Sequence, residues 1–128
     1  MKKALKIILT IIILIVLIII AGIFYITRGL ETGINTKING IDISDVANGQ
    51  YEGNYEWGRW SNKLNVTVKD NIITKIEIVD DVTFNQKDLS EELFSRVIER
   101  QNTKVDTVAG ATVTSKAYLK SIENAFDQ

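Results

Sequence analysis

The pattern of apolar positions divides the chain into an uninterrupted N-terminal run and a patterned C-terminal part. Residues 7–26 are apolar apart from Thr10 and Tyr25 and carry no charge. An α-helix of this length spans about 30 Å, the thickness of a bilayer's hydrocarbon core. The run is longer than the apolar region of a secretory signal peptide, usually about 7–15 residues, and lacks a small-residue cleavage site. We interpret residues 1–28 as a cytoplasmic stub and an uncleaved transmembrane anchor, with a cleaved signal peptide as the alternative.

Alternation with a period of two predicts an antiparallel sheet beyond the anchor. Residues 64–69 alternate apolar and polar side chains, and residues 72–79 are rich in β-branched residues. The Asp70-Asn71 pair between them tolerates positive φ angles, so the two runs are predicted to form a hairpin. One face of the second strand is expected to carry Thr74, Ile76 and Ile78. Residues 49–60 are predicted to add another antiparallel strand, interrupted at Gly58.

Helical spacing predicts two helices, over residues 88–100 and 115–126. Asp88 or Ser90 is the expected N-cap of the first helix, and Thr114 or Ser115 that of the second. The side chains expected to face inward are Leu89, Phe94, Val97 and Ile98 in the first helix, and Tyr118, Ile122, Ala125 and Phe126 in the second. The order of elements predicts an α+β fold, in which a small antiparallel sheet packs with two helices and follows one N-terminal transmembrane helix.

Charge sets the expected orientation of the chain in a membrane. Lys2, Lys3 and Lys6 precede the apolar run, whereas only Arg28 follows it closely. The positive-inside rule then places the N-terminus in the cytoplasm and the C-terminal domain outside. We expect residues 29–44 to form a stalk or linker and residues 45–128 to form the extracytoplasmic domain.

The composition of the part beyond Arg28 excludes several classes of chemistry. It holds 11 basic and 16 acidic residues, a net charge of −5, which disfavours nucleic acid as a partner. The chain has no Cys and no His, so the sequence predicts no metal site and disfavours haem and zinc. Redox chemistry would therefore require a bound organic cofactor.

Small and hydroxyl-bearing residues fill the stretch DTVAGATVTS, residues 106–115, just before the last predicted helix. Gly110 allows close approach of a ligand, and Ala111 adds little bulk. The free N–H groups and the dipole of a helix N-terminus favour a phosphate. The side chains of Thr112, Thr114 and Ser115 add hydroxyls, and a hydroxyl can also be esterified by phosphate. The alternatives are an ordinary loop hydroxyl for Thr112 and simple helix caps for the other two.

The stretch DTVAGATVTSK, residues 106–116, resembles the flavinylation motif of bacterial FMN-binding domains. Such domains occur in peripheral subunits of the sodium-translocating NADH–quinone reductase and its relatives, and in extracytoplasmic electron-transfer proteins. Residues 49–55 are similar to the family's opening Gly-x-Tyr-x-Gly-x-Tyr strand, and residues 64–76 to its central hairpin. Asn71 stands where the family usually has Gly, and Ala109 where it often has Ser or Thr.

The resemblance implies a specific role for several of these residues. Thr112 would carry FMN through a phosphoester bond made by a separate secreted flavin transferase, which uses FAD and releases AMP. Asp106 would belong to the motif that this enzyme reads, although it could also cap a turn. Gly110, Ala111, Thr114 and Ser115 would complete the cofactor site. Lys116 could contact the flavin phosphate, but solvation is the simpler interpretation.

The aromatic residues of the first strand allow two interpretations. Tyr51, Tyr55, Trp57 and Trp60 could stack on a flavin ring, yet aromatics in a strand of a small domain usually belong to the core, and we assign at least half of them to it. Arg59, between the two Trp residues, is interpreted as a surface residue.

The sequence therefore predicts a membrane-anchored flavoprotein that transfers electrons outside the membrane through FMN, rather than a stand-alone enzyme. Its expected partners are the membrane, the flavin transferase and a membrane redox donor such as a quinone-linked or NADH-linked complex. The alternatives are a subunit of a larger ion-translocating redox complex and a surface-anchored binding module without flavin.

Overall fold

The computed structural model describes residues 1–127, so Gln128, the last residue of the predicted domain, lies outside it. The helices are α1 (Lys2–Thr27), α2 (Leu30–Asn35), α3 (Lys87–Arg100) and α4 (Thr112–Phe126). The strands are β1 (Gly49–Tyr55), β2 (Asn62–Lys69) and β3 (Ile72–Asp80), and a 3₁₀ turn spans Gly58–Trp60. This arrangement confirms the predicted α+β class, with a long apolar helix followed by a three-stranded antiparallel sheet that packs with two helices.

Helix α1 is long and apolar enough to cross a membrane, and none of its residues is buried by the rest of the chain. Both a membrane anchor and a signal sequence have these properties, so the structure shows the apolar helix and leaves its fate in the cell as a prediction.

The hairpin forms where the sequence predicts it. Asp70 and Asn71 have φ angles of 54° and 62°, which are the positive values that a type I′ turn requires at both central positions. The side-chain amide of Asn71 also donates to the carbonyls of Ile43, Ser44 and Val46, at 3.1, 2.8 and 3.1 Å. An asparagine at this turn therefore does what a glycine could not, because its side chain fastens residues 43–46 to the end of the hairpin.

The prediction that Thr74 shares one face of β3 with Ile76 and Ile78 is wrong. The register shifts between Thr67 and Val68, so that Thr67 pairs with Lys75 while Val68 pairs with Ile73. Thr74 is left without a partner opposite it, as in a β-bulge, and is exposed. The bulge turns Ile73 into the core, where it is fully buried.

The core lies between one face of the sheet and the two long helices. Helix α3 buries Leu89, Leu93, Phe94 and Val97 and half-buries Ile98, as its apolar stripe predicts. Helix α4 is buried along most of its length and packs across β1 and β2. The fully buried residues at the centre include Leu64, Val66, Ile73, Leu93, Tyr118 and Ile122.

Both predicted helix caps are wrong. Helix α3 begins after Gln86, and the Ser90 hydroxyl donates to the carbonyl of Lys87 instead of accepting from an N–H group. Helix α4 begins at Thr112, three residues earlier than expected, and is preceded by Ala111, which has no side chain that can cap it. Thr114 and Ser115 therefore lie inside the helix.

Residues 29–44 are in contact with the domain, whereas we expected a stalk. Gly33 in α2 lies against Val113, where an added Cβ would come within 2.4 Å of a methyl group. The buried carboxylate of Glu123 accepts the N–H groups of Asn39 and Gly40 at 2.7 and 2.8 Å. Ile43 joins the core. In the structure residues 29–44 therefore pack against the domain. The boundaries of the domain stay a prediction.

We expect Gly53→Ala to destabilise the domain, because an added Cβ would lie 1.9 Å from the carbonyl oxygen of Ser121 and 2.8 Å from the amide nitrogen of Ala125. These are backbone atoms of α4, so the helix would have to move away from β1, at a cost of about 1–3 kcal/mol. Thermal unfolding of the purified protein measures the effect. Gln50→Ala, at an exposed position of the same strand, is the control. Equal melting temperatures for the two variants would contradict the close packing of α4 on β1.

Candidate functional site

A tight turn precedes α4 and is clamped to it. The Ala111 N–H donates to the Val108 carbonyl at 3.0 Å, and Gly110 has a φ of 78°, which favours glycine at the third position of such a turn. The Ser115 hydroxyl, fully buried, accepts the Val108 N–H at 3.1 Å. Because Ser115 is bonded in this way, it positions the turn and does not face solvent as a phosphate ligand.

The first turn of α4 has unsatisfied donors. Within residues 1–127, the N–H groups of Thr112, Val113 and Thr114 donate to no other residue, and no side chain caps the helix. Thr112 is exposed, and its hydroxyl has no partner among the same residues. Free N–H groups and the positive end of the helix dipole form a favourable site for an anion. The Thr112 hydroxyl therefore lies beside a place suited to a phosphate.

Two clefts flank this helix start. One has a volume of about 360 Å³ and the other about 200 Å³, and the first is within the size range of small-molecule sites. Both are lined by Arg59, Gly110, Ala111 and Thr114. The larger cleft adds Leu30, Ile34, Trp60, Thr112 and Val113, and the smaller one adds Phe84, Gln86 and Leu89.

Sequence reasoning missed Arg59, which we interpreted as a surface residue. Its guanidinium carbon lies 4.1 Å from the centre of the Trp60 ring and 5.2 Å from that of Phe84. Its Nε donates to the carbonyl of Ile26 at 2.8 Å, near the end of α1. The sequence does contain a feature that could have pointed to this role. Arg59 lies between Trp57 and Trp60, and arginine stacks readily on aromatic faces.

The structure brings together four of the six predicted site residues: Gly110, Ala111, Thr112 and Thr114. Ser115 lies behind them in the core. Asp106 is exposed and lines a different cleft, of about 530 Å³, with Arg96, Glu99, Arg100 and Val105. Arg96 donates to the backbone carbonyl of Asp106 at 2.8 Å, so the carboxylate itself stays available to a partner.

Of the remaining candidates, Trp60 lines the larger cleft, whereas Lys116, Tyr51, Tyr55 and Trp57 line neither cleft. Lys116 donates to the carbonyl of Ile34 at 2.5 Å and so fastens α2 to α4. Tyr51 and Tyr55 are half-buried against the core and Trp60 is buried, as we assigned at least half of the aromatics. Trp57 is 44% exposed and lies against Gly29.

A buried polar chain holds Trp60 in place at the wall of the larger cleft. The Ser121 hydroxyl in α4 donates to the Asn62 side-chain oxygen at 2.6 Å, and the Asn62 amide donates to the Trp60 carbonyl at 3.0 Å. Both polar side chains are buried, so leaving either without a partner would be costly. These two hydrogen bonds therefore link the body of α4 to the 3₁₀ turn that carries Arg59.

A family model matches the part of the chain that carries this helix start. The family described as FMN-binding domain matches residues 57–127, more than half of the chain. The chain belongs to the FMN-binding domain family. The matched range contains both clefts' main residues, Arg59 and Thr112 included, and begins after the strand at residues 49–55. No curated protein matches the chain.

The site of this FMN-binding domain fits the cofactor that the family implies. The unsatisfied N–H groups of α4 suit the phosphate, and the cleft beside them offers apolar and aromatic walls for a ring system, from Leu30, Ile34 and Trp60. Arg59 supplies a cation in the same cleft.

We expect Ser115→Ala to lower the free energy of unfolding by about 1–3 kcal/mol, because the Val108 N–H would lose its partner in a buried setting. Thr114→Ala, one position earlier on the same helix, is the matched control, since the Thr114 hydroxyl bonds to no other residue of the described chain. Its effect is expected to stay within about 0.5 kcal/mol. Chemical denaturation measures both, and an equal loss in the two variants would contradict the clamping role of Ser115.

Proposed function

We propose that this protein is a membrane-anchored electron carrier that holds FMN covalently on Thr112. The observation that carries the proposal is the exposed, unbonded Thr112 hydroxyl at the uncapped start of α4, inside the range that matches the FMN-binding domain family. A hydroxyl in this position is accessible to a modifying enzyme, and the phosphate of the product would lie next to free N–H donors.

The attachment follows simple phosphoryl chemistry. A flavin transferase would direct the Thr112 oxygen at the FMN phosphorus of FAD. A new P–O bond forms to threonine, the bond between phosphorus and the bridging oxygen of the pyrophosphate breaks, AMP leaves and the hydroxyl proton is released. The N–H groups of residues 112–114 stabilise the negative charge that stays on the phosphate. Asp106, exposed on a neighbouring surface, is proposed as part of what the transferase recognises.

The flavin, once attached, supplies one-electron and two-electron transfer, and the protein supplies its position and electrostatic surroundings. The orientation of charges around α1 supports a cytoplasmic N-terminus and an extracytoplasmic domain. The contacts of Arg59 with Ile26 and of α2 with α4 support a flavin held close to the end of the membrane helix. A redox donor in the membrane is therefore the proposed partner, and a tethered carrier meets it at a raised effective concentration.

We expect Thr112→Val to abolish covalent flavin when the protein is produced together with a flavin transferase, because valine keeps the shape but lacks the oxygen. Thr74→Val, the same substitution at an exposed threonine of β3 that lines neither cleft, is expected to keep the flavin. In-gel fluorescence under denaturing conditions and intact mass measure attachment. A fluorescent band of unchanged intensity in Thr112→Val would contradict the proposal, as would a wild-type protein of unmodified mass.

The anchor is tested separately from the flavin. We expect the membrane fraction to contain a protein whose intact mass includes residues 1–28, because the apolar run is long enough to span a bilayer and has no cleavage site. A mature protein that begins beyond residue 28 would instead identify the segment as a cleaved signal peptide.

A further inference from the structure

Arg59 is the only charged side chain among residues 1–127 that lines either of the two clefts beside Thr112. The other lining groups are apolar, aromatic, backbone, hydroxyl or amide. The nearest further cation on α4, Lys116, is bonded to the carbonyl of Ile34. A lone cation in a domain of net negative charge is a specific feature of this site.

Contacts on several sides hold this cation in place. The Arg59 carbonyl accepts the Thr83 N–H at 2.9 Å, which ties the 3₁₀ turn to the loop that carries Phe84. The Nε atom donates a hydrogen bond to the carbonyl of Ile26, and the guanidinium lies near the Trp60 and Phe84 rings. Such constraints lower the entropy that a flexible arginine would lose on binding a ligand.

The two Nη atoms of Arg59 have no partner within the described chain. An arginine whose Nε is engaged still presents the Nη N–H groups in one plane, a geometry suited to adjacent oxygen or nitrogen acceptors. A phosphate on Thr112 would already have three N–H donors from α4. The pyrimidine end of a flavin ring in either cleft, with its N1 and C2 carbonyl, would find no other charged donor among residues 1–127.

We propose that Arg59 binds the N1–C2 carbonyl edge of the isoalloxazine ring and stabilises its reduced, negatively charged form. This assignment rests on the proposed function, because it requires the flavin to be present. Reduction of the oxidised ring by two electrons with uptake of one proton leaves one negative charge, which is concentrated on that edge. A fixed cation beside it favours reduction, so the midpoint potential rises.

The test measures the midpoint potential of the full-length, flavinylated protein in detergent, by dithionite titration against reference dyes. Arg59→Gln removes the charge and keeps a side-chain amide. In this variant we expect the equilibrium between the reduced and the oxidised ring to shift about tenfold toward the oxidised ring, the effect of losing one charge-assisted hydrogen bond. A tenfold shift lowers the midpoint potential of a two-electron couple by about 30 mV. Arg59→Lys keeps the charge without the planar fork and is expected to recover part of the shift.

Lys69→Gln is the matched control for loss of one positive charge. Lys69 lies at the far end of β2 from the 3₁₀ turn, about 23 Å along the strand, and is exposed. The midpoint potential of the Lys69→Gln protein is expected to equal that of the unaltered protein.

The outcomes separate the assignment from the proposed function. If the unaltered protein carries no covalent flavin, the proposed function fails and the assignment fails with it. If flavin is attached and Arg59→Gln has the wild-type potential, only the assignment is overturned. A folded Arg59→Gln protein that takes no flavin, beside an Arg59→Lys protein that does, would assign the cation to the phosphate and also overturn the proposal.

A second measurement needs no variant. The potential of a two-electron couple changes by about 59 mV per pH unit with two protons and by about 30 mV with one. The slope changes from the first value to the second at the pH where the reduced ring loses a proton. We expect this pH to be lower in the protein than in free FMN measured in the same way, because a cation disfavours protonation of the reduced ring. A change of slope at the same or a higher pH would overturn the assignment even if Arg59→Gln does not fold.

Discussion

The packing of α4 across the sheet is the constraint on which the site depends. Gly53 lets the helix approach β1 so closely that no side chain fits between them, and the Ser121–Asn62–Trp60 chain fixes its rotation. Most of the body of the helix is buried, and Thr112, in its first turn, is the one residue of α4 that is fully exposed. The exposed Thr112 and the unsatisfied N–H groups follow from this arrangement, because a helix start without a capping side chain retains free donors.

The three hydroxyl side chains at the start of α4 have different surroundings. Ser115 is buried and holds the turn, Thr112 is exposed and free, and Thr114 lines both clefts. The three side chains have nearly the same chemistry. Helical geometry separates them, since successive residues point about 100° apart around the axis and only some directions lead to solvent.

The segment after the apolar helix contributes a wall of the site. Leu30 and Ile34 line the larger cleft, Lys116 holds α2 through the Ile34 carbonyl, and Ile26 accepts from Arg59. The end of α1 and the larger cleft are therefore parts of one packed structure. This gives the proposed membrane anchor a role in shaping the site in addition to tethering it.

Local pattern alone determined the apolar helix, the Asp70-Asn71 hairpin, the inward stripes of α3 and α4, and the small-residue loop at Gly110. These features depend on period and on φ preferences of neighbouring residues, which the sequence displays directly. Tertiary structure decided what depends on contacts between distant residues. It extended α4 back to Thr112, because the buried Ser115 could bond Val108, and it turned Ile73 inward through a bulge that alternation cannot reveal. It also packed residues 29–44 against the domain and placed Arg59 and Thr112 in the same cleft. Contacts between residues more than fifty positions apart do not appear in the local pattern of either segment.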